Sequence, residues 1–209
     1  MRGERVRFEG RHFRLEDYQL RPAGTHRPRP KIYLGGESEP ARALAADHAD
    51  VWFINGQPLD DVAGLIADVA SRSRAGAPLR FGLSAFVVAR ETQAEAQAAY
   101  ERLLALSKKD APIKAIQKQN TDPKVVMMQT MQKSARVGSN GGTAAGLVGS
   151  YEEVATRIKA FHAAGIELFM LQFQPFEAEM ERFAREVIPR VREWAPVATA
   201  GAPAHAVAR

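Results

Sequence analysis

The sequence predicts an α/β fold built on a parallel sheet, and three observations predict it. Strand-like and helix-like segments alternate four times between residues 31 and 196. The strands are continuous apolar runs, such as Val51-Trp-Phe-Ile54, as expected where helices cover a parallel sheet. The helices carry start and stop signals: Thr92 with Glu95 and Ser150 with Glu153 form capping boxes, and Gly165 suits a C′ position. Four strand–helix units make half of a (β/α)₈ barrel or a small open sheet. With 209 residues the chain can bury one sizeable core, and its 45% apolar and 25% charged content is that of an ordinary globular domain.

The elements follow in order. Residues 1–30 read as an irregular lead-in, because Arg21-Pro22 and Arg27-Pro-Arg-Pro30 interrupt regular structure. Ile32–Leu34 is a strand, followed by a helix over Glu39–His48 with Ala41, Leu44, Ala45 and His48 on one side. Asp50–Ile54 is a strand, and Asn55-Gly-Gln-Pro58 turns the chain into a helix over Leu59–Arg74, whose Val62, Leu65, Ile66 and Val69 keep helical spacing. Leu79–Val88 reads as one long strand, and a helix runs from the Thr92 cap to Leu106. Residues 107–149 form an insertion, with a helix over Pro123–Arg136 and the glycine-rich Val137–Gly146. A helix from the Ser150 cap to Ala164, a strand over Ile166–Gln172 and a helix over Phe176–Trp194 interrupted at Pro189 complete the domain at residue 196. The tail over residues 197–209 lacks large apolar groups and is expected to be disordered.

Composition narrows the function. The chain has no cysteine, which excludes disulfides, thiolate metal sites and a cysteine nucleophile. The N-terminus is charged and has no apolar core of a signal peptide, so a cytoplasmic location is expected, with no membrane partner. Residues 107–136 hold seven Lys and Arg against two Asp, a net charge of +5 that equals that of the whole chain. The basic excess is thus one segment, with no nucleic-acid-binding motif beside it, and no nucleic-acid partner is expected. That segment is either a solvated helical face or a basic cover for an anionic ligand. The five histidines show no ligand-like spacing, no metal site is expected, and the Gly138–Gly146 run lacks the Lys-Ser/Thr of a phosphate-binding P-loop.

Lys31-Ile-Tyr-Leu-Gly-Gly-Glu-Ser-Glu-Pro40 is the most informative stretch. A strand passes through two glycines, then Ser38 at an N-cap and Pro40 in the first helical turn. Bare backbone, free N–H groups and the positive end of the helix dipole suit an anion, above all phosphate. An ordinary tight strand-to-helix turn reads the same way. Glu37 must turn its carboxylate away from any such anion.

Several blocks resemble the bacterial luciferase-like, flavin-dependent monooxygenases, nearest their alkanesulfonate and dimethyl-sulfone branch. They are Val6–Leu15, Pro30–Ala46, Ala49–Phe53, Gly82–Thr92, Gly141–Ser150 and Gly165–Leu171, in that order. The likeness covers residues 5–193; each block is weakly specific, and their order and spacing carry it. It implies a luciferase-like TIM (β/α)₈ barrel truncated to strands 5–8, with a helical insertion after strand 7. The first four strands are missing from the likeness, so the chain is expected to be the C-terminal half of a longer barrel, leaving two open strand edges and an uncovered apolar face.

The resemblance implies FMN, reduced by a partner NAD(P)H:FMN reductase, which reacts with O₂ to give a flavin peroxide that attacks a small organosulfur substrate. The reaction would be C–S cleavage of an alkanesulfonate or dialkyl sulfone, and a homo-oligomer is expected. Gly35, Gly36, Glu37 and Ser38 are the candidates for the FMN phosphate, with Asn55, Gly56 and Gln172 bordering the cofactor. Asn55-Gly56 is equally a plain turn. Ser84 and Phe86 share one side of their strand, where the sulfonate enzymes carry an arginine and a histidine. A hydroxyl and a ring there favour a smaller or neutral substrate; alternatively Phe86 is simply core. Gln174 stands near a tyrosine position of those enzymes, and Asn140 at an arginine position, with Arg136 as a substitute charge. These last residues belong to a region that the family uses as a lid, and a surface loop is the plain alternative. An F420- or flavin-dependent oxidoreductase of the same barrel, or a non-catalytic truncated subunit acting by assembly, are the competing readings.

Overall fold

The apolar runs become four parallel strands, paired in the order in which they occur in the sequence. A computed structural model describes residues 3–24, 29–110, 116, 119 and 137–192. Its central sheet contains β3 (Tyr33–Gly35), β4 (Val51–Asn55), β5 (Arg80–Phe86) and β8 (Ile166–Gln172), in the order β3-β4-β5-β8. All three pairings are parallel. Among the described residues the sheet is open, with β3 and β8 at its edges and no closed barrel.

The helices α1 (Glu39–His48), α2 (Leu59–Ala70), α3 (Gln93–Ser107), α4 (Tyr151–Ala163) and α5 (Phe176–Arg192) connect or follow these strands. One sheet face meets α1, α2, α4 and α5. Trp52, Ile54, Leu83 and Ala85 from that face share one buried core with Ala45, Val62, Ile66, Val154, Phe161 and Val187. On the opposite face Val51 and Ser84 of the central strands are buried as well, but the edge strands have no such cover. There Tyr33 is 54% exposed and Met170 46% exposed, and the rings of Tyr33 and Phe53 lie 6.1 Å apart.

Several expectations are corrected. Residues 5–19 are not irregular: β1 (Arg5–Glu9) and β2 (Arg14–Gln19) form an antiparallel hairpin. Val6 and Phe8 pair with Tyr18 and Leu15, so a two-residue alternation places them on one face. Glu16-Asp17 opposes the single Arg7, a bulge that puts Asp17 at φ 53° and disguises the period. The long Leu79–Val88 strand is two strands, β5 and β6 (Val88–Arg90). The break is one residue wide: Val87 N donates to Gln172 O at 3.0 Å, and Val88 N donates to Leu147 O at 2.9 Å. The chain thereby leaves β8 and pairs in parallel with β7 (Val148–Ser150), a strand at the end of the expected insertion. Helix α2 stops at Ala70, short of Arg74, whose guanidinium instead binds the carbonyls of Ala46 and Ala49 at 2.6 Å each. Helix α5 runs through Pro189 to Arg192. The expected helix over Pro123–Arg136 and the tail lie outside the described residues.

Both capping boxes form. Glu153 N donates to Ser150 Oγ at 3.2 Å, and Ser150 N donates to the Glu153 carboxylate at 2.8 Å. Ser150→Ala is expected to lower stability by about 1 kcal/mol, read from urea unfolding at pH 7. The Ser150 hydroxyl, then its backbone N–H, hold the Glu153 carboxyl below its ordinary value of 4.5. The carboxylate's contribution is therefore present above pH 4.5 and is lost as pH falls through the lowered folded value. The gap between wild type and variant should narrow in acid.

Candidate active site

The C-terminal ends of parallel strands are where α/β folds present ligands, because loops meet there and helix N-termini point there. The register brings most predicted residues to that end. Asn55 lies opposite Ser84, and Ser84 opposite Met170. One pleat further on, Phe86 lies opposite Gln172. Partnered residues share a face, so Asn55, Ser84, Phe86 and Gln172 all belong to the face away from the four-helix core.

The Gly35–Ser38 bend opens α1 at the same end. Gly35, Gly36 and Ser38 are exposed. A Cβ built on Gly35 would meet nothing within 4 Å, and Gly36 has φ +112°, a conformation open to glycine. Ser38 occupies the N-cap with extended backbone, but its side chain makes no capping bond. Its hydroxyl and the first amides of α1 are thus not tied to each other. Glu37 differs from its neighbours: its side chain is buried, and Oε1 accepts a hydrogen bond from Asn55 N at 2.7 Å. Burial raises its carboxyl above the ordinary value, opposed first by the Asn55 hydrogen bond and then by the nearby Gln57 amide and the Arg42 charge.

Ser84 is 2% exposed and its Oγ has no hydrogen-bond partner. Phe86 is buried in a second cluster with Val88, Ala99 and Val137. A Cβ on Gly138 would come within 2.6 Å of that ring, so the backbone lies directly on it. Gln174 is exposed, beyond the end of β8.

The described end of the insertion is a stitched turn. Ser139 N and Oγ donate to Gln172 Oε1 at 3.2 Å each. Gly56 N donates to Asn140 O at 2.9 Å, and Thr143 and Val137 exchange two bonds, Thr143 N to Val137 O at 3.0 Å and Val137 N to Thr143 Oγ1 at 3.1 Å. Asn140 itself sits at φ 49°. Residues 137–146 therefore present a docked edge at the mouth, and the Gln172 carboxamide cannot reach a ligand without releasing Ser139. Arg136 lies outside the described residues.

Sequence reasoning passed over three contributors. Trp52 Nε1 donates to Gly36 O at 2.9 Å, tying the bend to β4; a tryptophan in a buried strand needs an acceptor, which was the available signal. Gln57 is buried with Nε2 unpartnered. Arg90 binds the buried Glu179 at 2.5 Å and joins β6 to the start of α5. Among the described residues no cluster of His, Asp or Glu could hold a metal ion, and no helix is long and apolar enough to cross a membrane.

Residues 1–168 match the luciferase-like monooxygenase family. The chain is 31% identical over 193 residues to an FMNH₂-dependent dimethylsulfone monooxygenase of Pseudomonas putida, covering 89% of this chain and 53% of that protein. It is 33% identical over 208 residues to a sulfoquinovose monooxygenase of Novosphingobium aromaticivorans, covering 91% and 57%. Among solved structures, a riboflavin lyase bound to modified FMN and riboflavin superposes with a TM-score of 0.63 at 18% identity, over 91% of this chain and 48% of that one. The parallel α/β sheet and its C-terminal mouth are those of a luciferase-like fold. The chain belongs to the luciferase-like monooxygenase family, and it spans about half the length of the curated relatives it matches.

Proposed function

We propose that the chain carries the phosphate-binding half of an FMNH₂-dependent monooxygenase that cleaves a C–S bond in a small organosulfur compound. The observation that carries this is the exposed Gly35–Ser38 bend, with its uncapped serine at a helix N-terminus, beside the Asn55 and Ser84 row. The bend fits a phosphate: bare backbone at Gly35 and Gly36, an uncommitted hydroxyl at Ser38, and a Glu37 charge turned inward. When bound, reduced FMN would supply the activation of O₂. The protein's part is to bind, orient and exclude water. Asn55 and Gly56 border the cofactor, and Ser84 faces the substrate with a buried hydroxyl that has no other partner.

The mouth row offers no ionic group, since Asn55, Ser84, Met170, Phe86 and Gln172 are all neutral. That favours a neutral sulfone over an anionic sulfonate, because a buried anion needs paired charge. The exposed Tyr33 and Met170 on the same sheet face, and the edges of β3 and β8 that no strand among the described residues pairs, support reading the sheet as strands 5–8 of an eight-stranded barrel. A partner reductase supplying FMNH₂, and oligomeric assembly, belong to the same reading.

The test is a flavin fluorescence titration of the 209-residue chain. FMN should bind about tenfold tighter than riboflavin, and Ser38→Ala should erase most of that difference, the size expected for a hydrogen bond to a charged group. Equal binding of the two flavins, or binding of neither, sinks the proposal. Tighter binding of F420 than of FMN in the same assay would select the deazaflavin oxidoreductase instead.

A further inference from the structure

We propose that Glu37 is a positioning residue: its buried carboxylate clamps the Gly35–Ser38 bend to the end of β4 and so sets the outward amides that receive the phosphate. This rests on the phosphate reading of the bend. Within four consecutive residues, Gly35, Gly36 and Ser38 are exposed while Glu37 is 5% exposed. A charged side chain stays buried only where it is paired or hydrogen-bonded. Its partner is the Asn55 amide, at 2.7 Å. That amide stands where β4 ends. The Glu37 oxygen takes it up and adds a side-chain tie between two loops whose strands already pair at Gly35 and Phe53.

The groups facing Glu37 come from both packed elements: Arg42 from α1, and Asn55 and Gln57 from the end of β4. Glu37 Oε2 and Gln57 Nε2 are both buried and complete no hydrogen bond as placed, and Gln57 is among the groups that lower the Glu37 carboxyl. They can close on each other with a small shift or through one water. The second tie, Trp52 Nε1 to Gly36 O at 2.9 Å, holds the preceding residue from the same strand. Between these two bonds the bend has little freedom, while its exposed side carries no negative charge. Glu37 therefore does two things for an incoming anion. It removes its own charge from the approach, and it spends that charge on fixing backbone donors in place.

The test uses Glu37→Met, which keeps the length and cannot accept, and Glu37→Gln, whose carbonyl can. Two readouts are taken on the full chain: FMN and riboflavin affinity, and hydrogen exchange of the Asn55 amide without ligand. Glu37→Met should weaken FMN about tenfold and riboflavin less than twofold, and speed Asn55 exchange about tenfold, the loss of one charge-assisted bond. Glu37→Gln should restore both to within about threefold, because Gln57 can flip to face the new amide. Unchanged Asn55 exchange in Glu37→Met overturns the clamp, as does an equal loss of FMN and riboflavin. If wild type binds no flavin at all, the phosphate reading has failed. Asn55 exchange then decides the clamp alone, fast exchange in Glu37→Met supporting it. Trp52→Phe, which removes the second tie, should weaken FMN in the same selective way.

Discussion

Trp52→Ala is expected to lower stability by about 3–5 kcal/mol. Among the described residues Trp52 is the largest fully buried side chain. It packs edge-on against Phe81 with ring centroids 6.4 Å apart and an interplanar angle of 73°. Alanine removes that contact and opens a cavity between β4 and the helices, in a core that cannot collapse freely because the strand is paired on both sides. It also deletes the indole N–H that holds Gly36 O. At about 2–4 °C per kcal/mol for a chain of this size, Tm should fall by roughly 10 °C. Trp52→Phe separates the two losses. It keeps most of the apolar volume, and its cost should be about 1–3 kcal/mol, set by the lost hydrogen bond and a smaller void. Equal stability of Trp52→Ala and wild type would contradict the core described for this sheet.

Gly141→Ala should be nearly as damaging, about 3 kcal/mol, although it adds a single methyl group. Gly141 has φ +84°, where L-residues are strained. An added Cβ would lie 2.0 Å from Gly56 O and 2.4 Å from Gly56 N. Both obstacles are backbone, so no side-chain rotation relieves them. The turn would have to lift from β4, breaking the Gly56 N to Asn140 O bond of 2.9 Å. Gly64→Ala is the matching control. Gly64 lies inside α2, and a Cβ there meets nothing within 4 Å. It should stabilise the chain by up to about 1 kcal/mol. Urea denaturation of the two variants beside wild type checks both signs.

Much of the architecture was legible because local chemistry and tertiary packing agree. The apolar runs at Val51–Ile54 and Ile166–Gln172 lay one face against the helix layer, as a parallel sheet requires. The capping boxes at Thr92 and Ser150 placed two helix starts to the residue. The hairpin was hidden by its bulge at Glu16-Asp17, which breaks the two-residue period that reveals a strand. The break at Val87 was illegible for a different reason. Val87 is as apolar as its neighbours, and only the competing acceptors Gln172 O and Leu147 O divide the run into two strands.

The candidate site divides in the same way. The glycines and Ser38 announced an exposed bend, since no other residue types leave backbone so bare. Ser84 and Phe86 could be placed on one side of a strand from spacing alone. What spacing could not reveal is where the polar side chains are spent. Gln172 is a plausible ligand group by type, yet its carboxamide holds Ser139 across 33 residues of chain. Phe86 is a plausible pocket wall, yet Gly138 lies against its ring. Gly141 and Gly142, which fall in the stretch read as a lid, are points where two backbones touch.

From its residues alone, this chain determines a parallel α/β sheet, the order of its units and an exposed glycine bend ahead of α1, because periodicity, capping and backbone freedom are local properties. Only the tertiary structure decides that Glu37 turns inward to Asn55, that Trp52 holds Gly36, and that the Val137–Gly146 turn is docked. Those outcomes depend on which distant donor finds which acceptor once the sheet has formed, and hydrogen-bond partners separated by many residues leave no mark on sequence spacing.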